Sequence, residues 1–141
     1  NNALLCRALG IEPLERFADV GFGGSVADPC GIVELASRIE QLLDRTPLVL
    51  GDGPDTIRRV AVCSGGAARL LPQAAAEGYD CYMTGEPAEP SMMAARESGI
   101  HLVAAGHYAT ETAGVQALAE LLAQRFSIDW TFIDLPNRKR P

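Results

Sequence analysis

The second half of the chain alternates short apolar runs with segments of helical periodicity. The apolar runs predict strands, and the segments between them carry apolar residues at the three- and four-residue spacing of an amphipathic helix. The predicted strands are 57–63, 79–83, 100–105 and 129–134, and the predicted helices are 69–78, 89–99 and 110–126. A β-α-β-α-β-α-β order from residue 57 implies right-handed crossovers and an α/β fold with a mainly parallel or mixed sheet flanked by helices.

Residues 110–126 carry the strongest helical pattern. Thr110 suits the N-cap position, because its hydroxyl can accept a hydrogen bond from a backbone N–H in the first turn. Apolar residues recur on one face of this helix, and we expect that face to be buried. They are Val115, Leu118, Leu121, Leu122 and Phe126.

The first half of the chain gives a weaker pattern. Residues 1–9 predict a helix ending at Gly10, and residues 32–44 predict a second amphipathic helix. Residues 18–31 are rich in glycine and predict a loop with at most one short strand. Residues 47–50 predict a strand, which a turn connects to the next one. In the helix at 69–78, Pro72 fits only the first turn, so that helix should begin near Leu71. We expect one α/β domain over 1–141.

Composition narrows the class of protein. The chain has 141 residues, 48% apolar and 21% charged, which is typical of a globular domain. Its net charge of −6 disfavours nucleic acid as a partner. No signal peptide is recognisable, and no apolar run approaches the roughly 20 residues of a membrane helix. The four cysteines lie far apart without a CxxC pair, which predicts buried thiols in a reducing, cytoplasmic compartment.

Three successive predicted strands end in polar loops. The loops are Ser64-Gly65-Gly66, Thr84-Gly85-Glu86 and Gly106-His107, and Glu111 follows four residues after the histidine. Ligands of α/β sheets bind at the carboxyl ends of the strands, so we expect the three loops to share one rim.

Each loop allows a structural and a functional interpretation. The Gly65-Gly66 pair is either a tight turn or a set of backbone N–H groups facing an anion. Glu86 either orients a ligand, acts as a base or caps the following segment. His107 and Glu111 offer nitrogen and oxygen donors that suit zinc, iron, manganese or nickel. Alternatively, His107 bonds a backbone carbonyl and Glu111 favours the positive end of the helix dipole.

Two further polar residues compete for roles in this site. Asp80, like Glu86, is a possible additional metal ligand, since two donors are too few for a divalent ion. His101, within the apolar run "IHLV", is expected to be a partly buried strand residue and not a ligand.

The loops and their flanking segments resemble a known family. The stretches "SGG", "GYDCYMTGE", "AARESGIHLVAAGHYATETAGVQALAELL" and "FIDLPN" are together similar to the Nif-three-like family, also called dinuclear metal-centre hexameric proteins or type-two GTP cyclohydrolase I. The resemblance implies an α/β fold, a ring-like homo-hexamer and two divalent metal ions per intact subunit. It also implies that His107 and Glu111 are metal ligands and that Glu86 lies near the site, where it could serve catalysis by orienting water.

One departure from the family limits what the chain can do alone. The family's other ligands are a His-His pair and an aspartate in the N-terminal half, and no His-His pair occurs here. The chain therefore resembles the C-terminal part of a longer protein. For the intact protein we expect a metal-dependent hydrolase, with a nucleotide-like substrate suggested only by the cyclohydrolase name. The alternatives are a non-catalytic oligomeric metal-binding or regulatory scaffold, and a fragment that only packs within an assembly.

Overall fold

A computed structural model describes residues 1–135 of the chain. Within them lie five helices and one six-stranded sheet. The strands are β1 (Ile11–Phe17), β2 (Gly21–Cys30), β3 (Leu48–Leu50), β4 (Ile57–Cys63), β5 (Cys81–Thr84) and β6 (His101–Ala104). The helices are α1 (Asn2–Ala8), α2 (Ile32–Leu43), α3 (Leu71–Ala76), α4 (Ser91–Ser98) and α5 (His107–Phe126). A short 3-10 turn at Ala68–Leu70 precedes α3.

The sheet is mixed, with strand order β1-β2-β4-β5-β6-β3. Its three parallel strands, β4, β5 and β6, lie side by side, and the remaining pairs are antiparallel. Every residue of β5 and β6 is buried, as expected for parallel strands covered on both faces. The predicted class, an α/β fold with a mixed sheet flanked by helices, is confirmed.

Alternation along the strands divides the core into two layers. Val60 and Val62 of β4 face one layer, which includes Leu5 of α1 and Leu35 of α2. Ala61 and Cys63, the intervening residues of β4, face the other layer. That second layer contains Tyr82, Leu102, Leu71 of α3 and Ala95 of α4. The period of two in the strands thus places helices on both sides of the sheet.

Most of the predicted elements are confirmed. Strand β4 has the predicted bounds, and α2 ends one residue before the predicted end. Helix α3 begins at Leu71 with its proline in the first turn, and α4 ends at Ser98, where Gly99 with φ +62° stops it as predicted. His101 is a buried strand residue, as predicted: its Nδ1 accepts a hydrogen bond from the N–H of Gly53. All four cysteines are buried and reduced. Among residues 1–135, no helix combines the length and apolarity needed to cross a bilayer.

The loop predicted at 18–31 is wrong, because most of it forms the ten-residue strand β2 paired with β1 and β4. The glycines here mark close approach and not a turn. A Cβ on Gly23 would lie 2.6 Å from the ring of Tyr79, and one on Gly24 would lie 2.4 Å from the carbonyl oxygen of Pro13. Strand β1, also missed, packs its Ile11 and Phe17 into the core.

The last predicted elements also need correction. Helix α5 begins at His107, three residues earlier than predicted, so Gly106 and not Thr110 is the N-cap. The predicted strand at 129–134 has no regular structure within the described residues. The apolar stripe of α5 is not buried, since its five side chains are 39–61% exposed. The helical period was correct, but within residues 1–135 these side chains stay largely exposed.

Candidate metal site

The three polar loops meet at one rim of the sheet, as the topology predicts. The N–H of Gly85 donates to the carbonyl of Gly65 at 2.9 Å, and the N–H of Gly106 donates to the carbonyl of Gly85 at 2.7 Å. The loops after β4, β5 and β6 are therefore joined by backbone hydrogen bonds. These hydrogen bonds hold in place the backbone just before Glu86 and His107.

His107 lies between two carboxylates at this rim. Its Nδ1 is 3.1 Å from Oε1 of Glu86, and its Nε2 is 3.4 Å from Oε2 of Glu111. The three side chains are 35–46% exposed, so the group is open to solvent on one side. The structure thus brings together all three residues that the sequence analysis singled out.

Two glycines make room for these side chains. A Cβ on Gly65 would lie 2.6 Å from Oε1 of Glu111 and 3.2 Å from Nε2 of His107. A Cβ on Gly66 would lie 3.2 Å from Oε1 of Glu86. Gly65 also has φ +71°, a left-handed conformation that favours glycine. The "SGG" loop therefore forms one wall of the site.

The alternative role for this loop, an anion cradle of backbone amides, is wrong for Gly65. Its N–H donates to Oγ1 of Thr110 at 3.2 Å, and the N–H of Ser64 donates to Oδ1 of Asn2 at 2.8 Å. Both amides already have partners inside the protein, so neither points at a phosphate.

Two buried threonines, Thr84 and Thr110, hold the site together, a role not predicted from the sequence. Oγ1 of Thr110 accepts from Gly65 and lies 2.9 Å from the carbonyl oxygens of Gly106 and His107. Thr84 donates to the carbonyl of Gly65 at 3.1 Å. A signal for both exists in the sequence. Each threonine sits beside a rim residue, at the end of a buried strand or in the first turn after it.

The contacts of His107 fit a divalent metal ion. A neutral imidazole has one N–H, and donation from Nδ1 to Glu86 leaves the Nε2 lone pair facing the Glu111 carboxylate. In that tautomer Nε2 of His107 and the Glu111 oxygen both offer lone pairs, which a divalent cation between them can accept. Two ligands of one tetrahedral ion at ~2.1 Å are about 3.4 Å apart, which matches the observed Nε2 to Oε2 distance. A carboxylate on the far nitrogen of a histidine is the common support of a metal ligand.

The donor set is nevertheless incomplete. Residues 1–135 contain no group of three or more His, Cys, Asp or Glu side chains arranged to hold a metal ion. The suggestion that Asp80 adds a ligand is wrong. Asp80 precedes β5, at the opposite end of the parallel strands from the rim, and its Oδ2 accepts from the N–H groups of Arg58 and Arg59 at 2.8 and 2.9 Å.

Comparison with known proteins identifies the family. A model of Duf34/NIF3 (NGG1p interacting factor 3) matches residues 1–139. The chain is 44% identical over 138 residues to an Escherichia coli protein and 45% identical over 142 residues to a Pseudomonas aeruginosa protein, each named GTP cyclohydrolase 1 type 2 homolog. Each alignment covers 97% of this chain and 56% of the relative, so the chain spans little more than half of their length.

Solved structures agree with these relatives. The structural-genomics protein ybgI, of unknown function, superposes with a TM-score of 0.92 at 44% identity, covering 96% of this chain and 56% of that one. TTHA1606 from Thermus thermophilus superposes with a TM-score of 0.84 at 34% identity, covering 95% of this chain and 54% of that one. The resemblance seen in the sequence is confirmed: the chain belongs to the Duf34/NIF3 family.

Proposed function

We propose that this chain contributes His107 and Glu111 as ligands to a divalent metal centre in a metal-dependent hydrolase. The observation that carries the proposal is the placement of Nε2 of His107 against Glu111, with Glu86 on the opposite nitrogen. Zinc, iron, manganese and nickel all suit this nitrogen and oxygen pair. From the family resemblance we propose two ions per intact subunit, with their remaining ligands outside the described residues.

The residues of the chain divide the work of such a site. Glu86 accepts the Nδ1 proton of His107, which fixes the tautomer and strengthens Nε2 as a donor. Glu86 also remains the candidate for orienting a water molecule. Gly65 and Gly66 keep space for the carboxylates, and Thr110 ties the first turn of α5 to the wall opposite. A bound divalent ion supplies Lewis acidity and lowers the pKa of water toward neutrality.

The name shared by the curated relatives bears on the substrate. Because they are called GTP cyclohydrolase 1 type 2 homologs, we propose a nucleotide-like small molecule as the substrate class. We also propose, from the resemblance, a homo-oligomer that forms a hexamer and works in the cytoplasm. The relatives are longer than this chain, which aligns with 56% of each of them. These proposals therefore concern the whole protein.

A second candidate function is a non-catalytic metal-binding or regulatory scaffold. Two observations favour it: the donor set of residues 1–135 stops short of three, and the outer face of α5 exposes a continuous apolar stripe suited to assembly. Both functions use the same two ligands, so metal binding alone does not separate them.

Metal titration tests the site itself. Isothermal titration of the chain with Zn²⁺, repeated with Mn²⁺, should show binding that His107→Ala abolishes and Glu86→Gln weakens about 10- to 100-fold. Glu120→Gln is the matched control, because this glutamate lies on the same helix away from the site. Equal affinities in all four proteins would overturn the proposal.

Turnover separates the two functions. The metal-loaded protein extended to the length of its relatives should hydrolyse nucleotides or phosphodiesters. His107→Ala should abolish that activity while leaving the fold intact by circular dichroism. Metal binding without any turnover across a broad substrate panel would favour the scaffold.

A further inference from the structure

Two asparagines at the beginning of α1 contact both walls of the candidate metal site. Oδ1 of Asn2 accepts a hydrogen bond at 2.8 Å from the N–H of Ser64, in the loop that forms one wall. Oδ1 of Asn1 accepts a hydrogen bond at 2.7 Å from the N–H of Gly114 in α5, the helix that forms the other wall. Because the two asparagines are adjacent in the chain, both walls are attached to the same short piece of backbone. We call Asn1 and Asn2 the asparagine pair.

Asn1 occupies the N-cap position of α1, but its side chain does not cap that helix. An asparagine at this position ordinarily accepts a hydrogen bond from a backbone N–H in the first turn of its own helix. Here the same oxygen accepts from a different helix. The side chain of Asn1 therefore serves the contact with α5 and not the stability of α1.

Gly114 allows this contact to form. Glycine destabilises the interior of a helix relative to alanine, so its position within α5 needs a physical reason. A Cβ on Gly114 would overlap Oδ1 of Asn1, and only a residue without a side chain lets the asparagine reach the helix backbone. The glycine is thus explained by the approach of Asn1.

The contact lies on the same face of α5 as the proposed ligands. Glu111 follows His107 by four residues and Gly114 follows it by seven, which places all three on one face of the helix. On the opposite wall, Ser64 directly precedes Gly65, where a Cβ would lie 2.6 Å from Oε1 of Glu111. The asparagine pair therefore attaches to each wall close to the place where the walls meet the ligands.

A second attachment between the walls controls the tilt of α5. The first attachment is the hydrogen bond from Gly65 to Thr110 at 3.2 Å, in the first turn of the helix. A helix held at one point can tilt about that point, which would move His107 relative to Glu86 on the neighbouring loop. The bond between Asn1 and Gly114, one turn further along α5, opposes this movement.

We infer that the asparagine pair positions the metal ligands by fixing the tilt of α5 against the loop at Ser64 and Gly65. The inference rests on the proposed function, because it concerns the placement of His107 and Glu111 in the same metal site. Asn1 and Asn2 are positioning residues, since they act through the backbone of the two walls.

Zinc titration of variants of the full chain tests this role. Asn1→Ala should weaken zinc binding about tenfold, because the helix that carries the ligands loses one of its attachments. Asn1→Asp keeps an oxygen acceptor on a side chain of the same size, and it should bind zinc at least as tightly as the unchanged chain. Gln124→Ala is the matched control, because it removes an exposed side-chain amide near the other end of α5. It should leave the zinc affinity unchanged.

A double variant separates positioning from simple stabilisation. Gly114→Ala should weaken zinc binding as much as Asn1→Ala does, because the new Cβ displaces Oδ1 of Asn1. When Asn1→Ala is already present, Gly114→Ala should raise the urea midpoint of unfolding, since alanine favours the helix, but zinc binding should stay weak. Zinc affinity that recovered together with stability would show that Asn1 only stabilises the fold, and the inference would be overturned.

The other asparagine is tested through its acceptor oxygen. Asn2→Asp keeps the oxygen that accepts from Ser64 but lacks the amide that donates to the carbonyl of Val20 at 2.8 Å. It should bind zinc as tightly as the unchanged chain, whereas Asn2→Ala should bind zinc more weakly. Equal loss in both variants would overturn the role of Asn2.

Failure of the inference and failure of the proposed function give different results. If the unchanged chain binds zinc, and Asn1→Ala and Gly114→Ala bind it equally well, the inference is overturned while the proposed function stands. If the unchanged chain binds no zinc, the proposed function is overturned and the positioning role with it.

Discussion

The sheet core and the outer face of α5 carry similar apolar patterns with opposite outcomes. Leu35 of α2 is completely buried, whereas Leu118 of α5 is 55% exposed, although both lie on regular apolar stripes. Every buried side-chain nitrogen and oxygen of residues 1–135 has a hydrogen-bond partner, so the core holds no unpaired side-chain polar group. The difference shows that a regular apolar stripe predicts a helix but does not by itself predict that the helix face is buried within residues 1–135.

The largest expected effect comes from matched truncations in these two regions. Leu35→Ala removes a fully buried side chain and should lower the free energy of unfolding by about 2–5 kcal/mol. Leu118→Ala should change it by no more than ~0.5 kcal/mol. Urea denaturation of both variants, monitored by circular dichroism, measures the contrast.

Similar losses in the two variants would break the comparison. A large loss in Leu118→Ala that grows with protein concentration would show that the α5 face is covered by a second copy of the chain in solution.

The contrast between these regions also explains which parts of the fold were predictable. Strands β4, β5 and β6 are predictable because they are short apolar runs, and glycine turns follow them. Strand β2 was missed, since Gly23 and Gly24 read as a turn although they only relieve contact with Tyr79 and Pro13. A glycine in a sequence therefore does not show whether it forms a turn or makes room for a neighbouring group in a strand.

The candidate site, like the fold, was only partly predictable from the sequence. His107, Glu86 and Glu111 are brought together by topology, which the β-α-β order implies. The position of each threonine beside a rim residue was visible in the sequence, but the atoms that its hydroxyl contacts were not. Thr110 looked like an N-cap, yet its hydroxyl bonds Gly65 of another loop, and α5 begins a turn earlier.

A second prediction compares two glycines with positive φ. Gly65→Ala should cost about 1–3 kcal/mol, because φ is +71° and the new Cβ would lie 2.6 Å from the Glu111 carboxylate. It should also impair metal binding. Gly99→Ala has φ +62° but meets nothing within 4 Å, so it should cost about 1 kcal/mol and leave metal binding unchanged. Thermal unfolding and zinc titration of both variants measure the difference. Identical metal affinities would show that Gly65 is only a turn residue.

A third prediction concerns alkaline pH and the core. Burial raises the pKa of the Cys6 thiol to about 12, and it raises the pKa of Cys81 as well. The unfolded chain loses these protons near pH 9 while the folded chain keeps them, so stability falls as the pH rises above about 9. The slope should be about 1.4 kcal/mol per pH unit for each such group. Urea titrations between pH 8 and 10.5 should show a shallower slope in Cys6→Ala. An unchanged slope would mean that Cys6 ionises equally in both states.

The smallest expected effect lies at the tether between α5 and segment 128–135. Tyr108 donates to Asp134, and the Trp130 indole donates to Glu120 at 3.2 Å; both bonds are exposed to solvent. The neighbouring Asp134 carboxylate raises the pKa of Tyr108 because the phenol hydroxyl donates to it. Tyr108→Phe removes that bond and should change the free energy of unfolding less than any of the variants above, because the bond is exposed to solvent.

Local opening is the more sensitive measure of that tether. Hydrogen exchange at residues 128–135 should accelerate in Tyr108→Phe while the exchange of β4 and β5 stays unchanged, because the core does not depend on this contact. Asp134→Asn keeps an oxygen acceptor and should have the smaller effect. If exchange in β5 accelerated equally, segment 128–135 would unfold together with the core. The contrast between the buried core and the exposed α5 face would then fail.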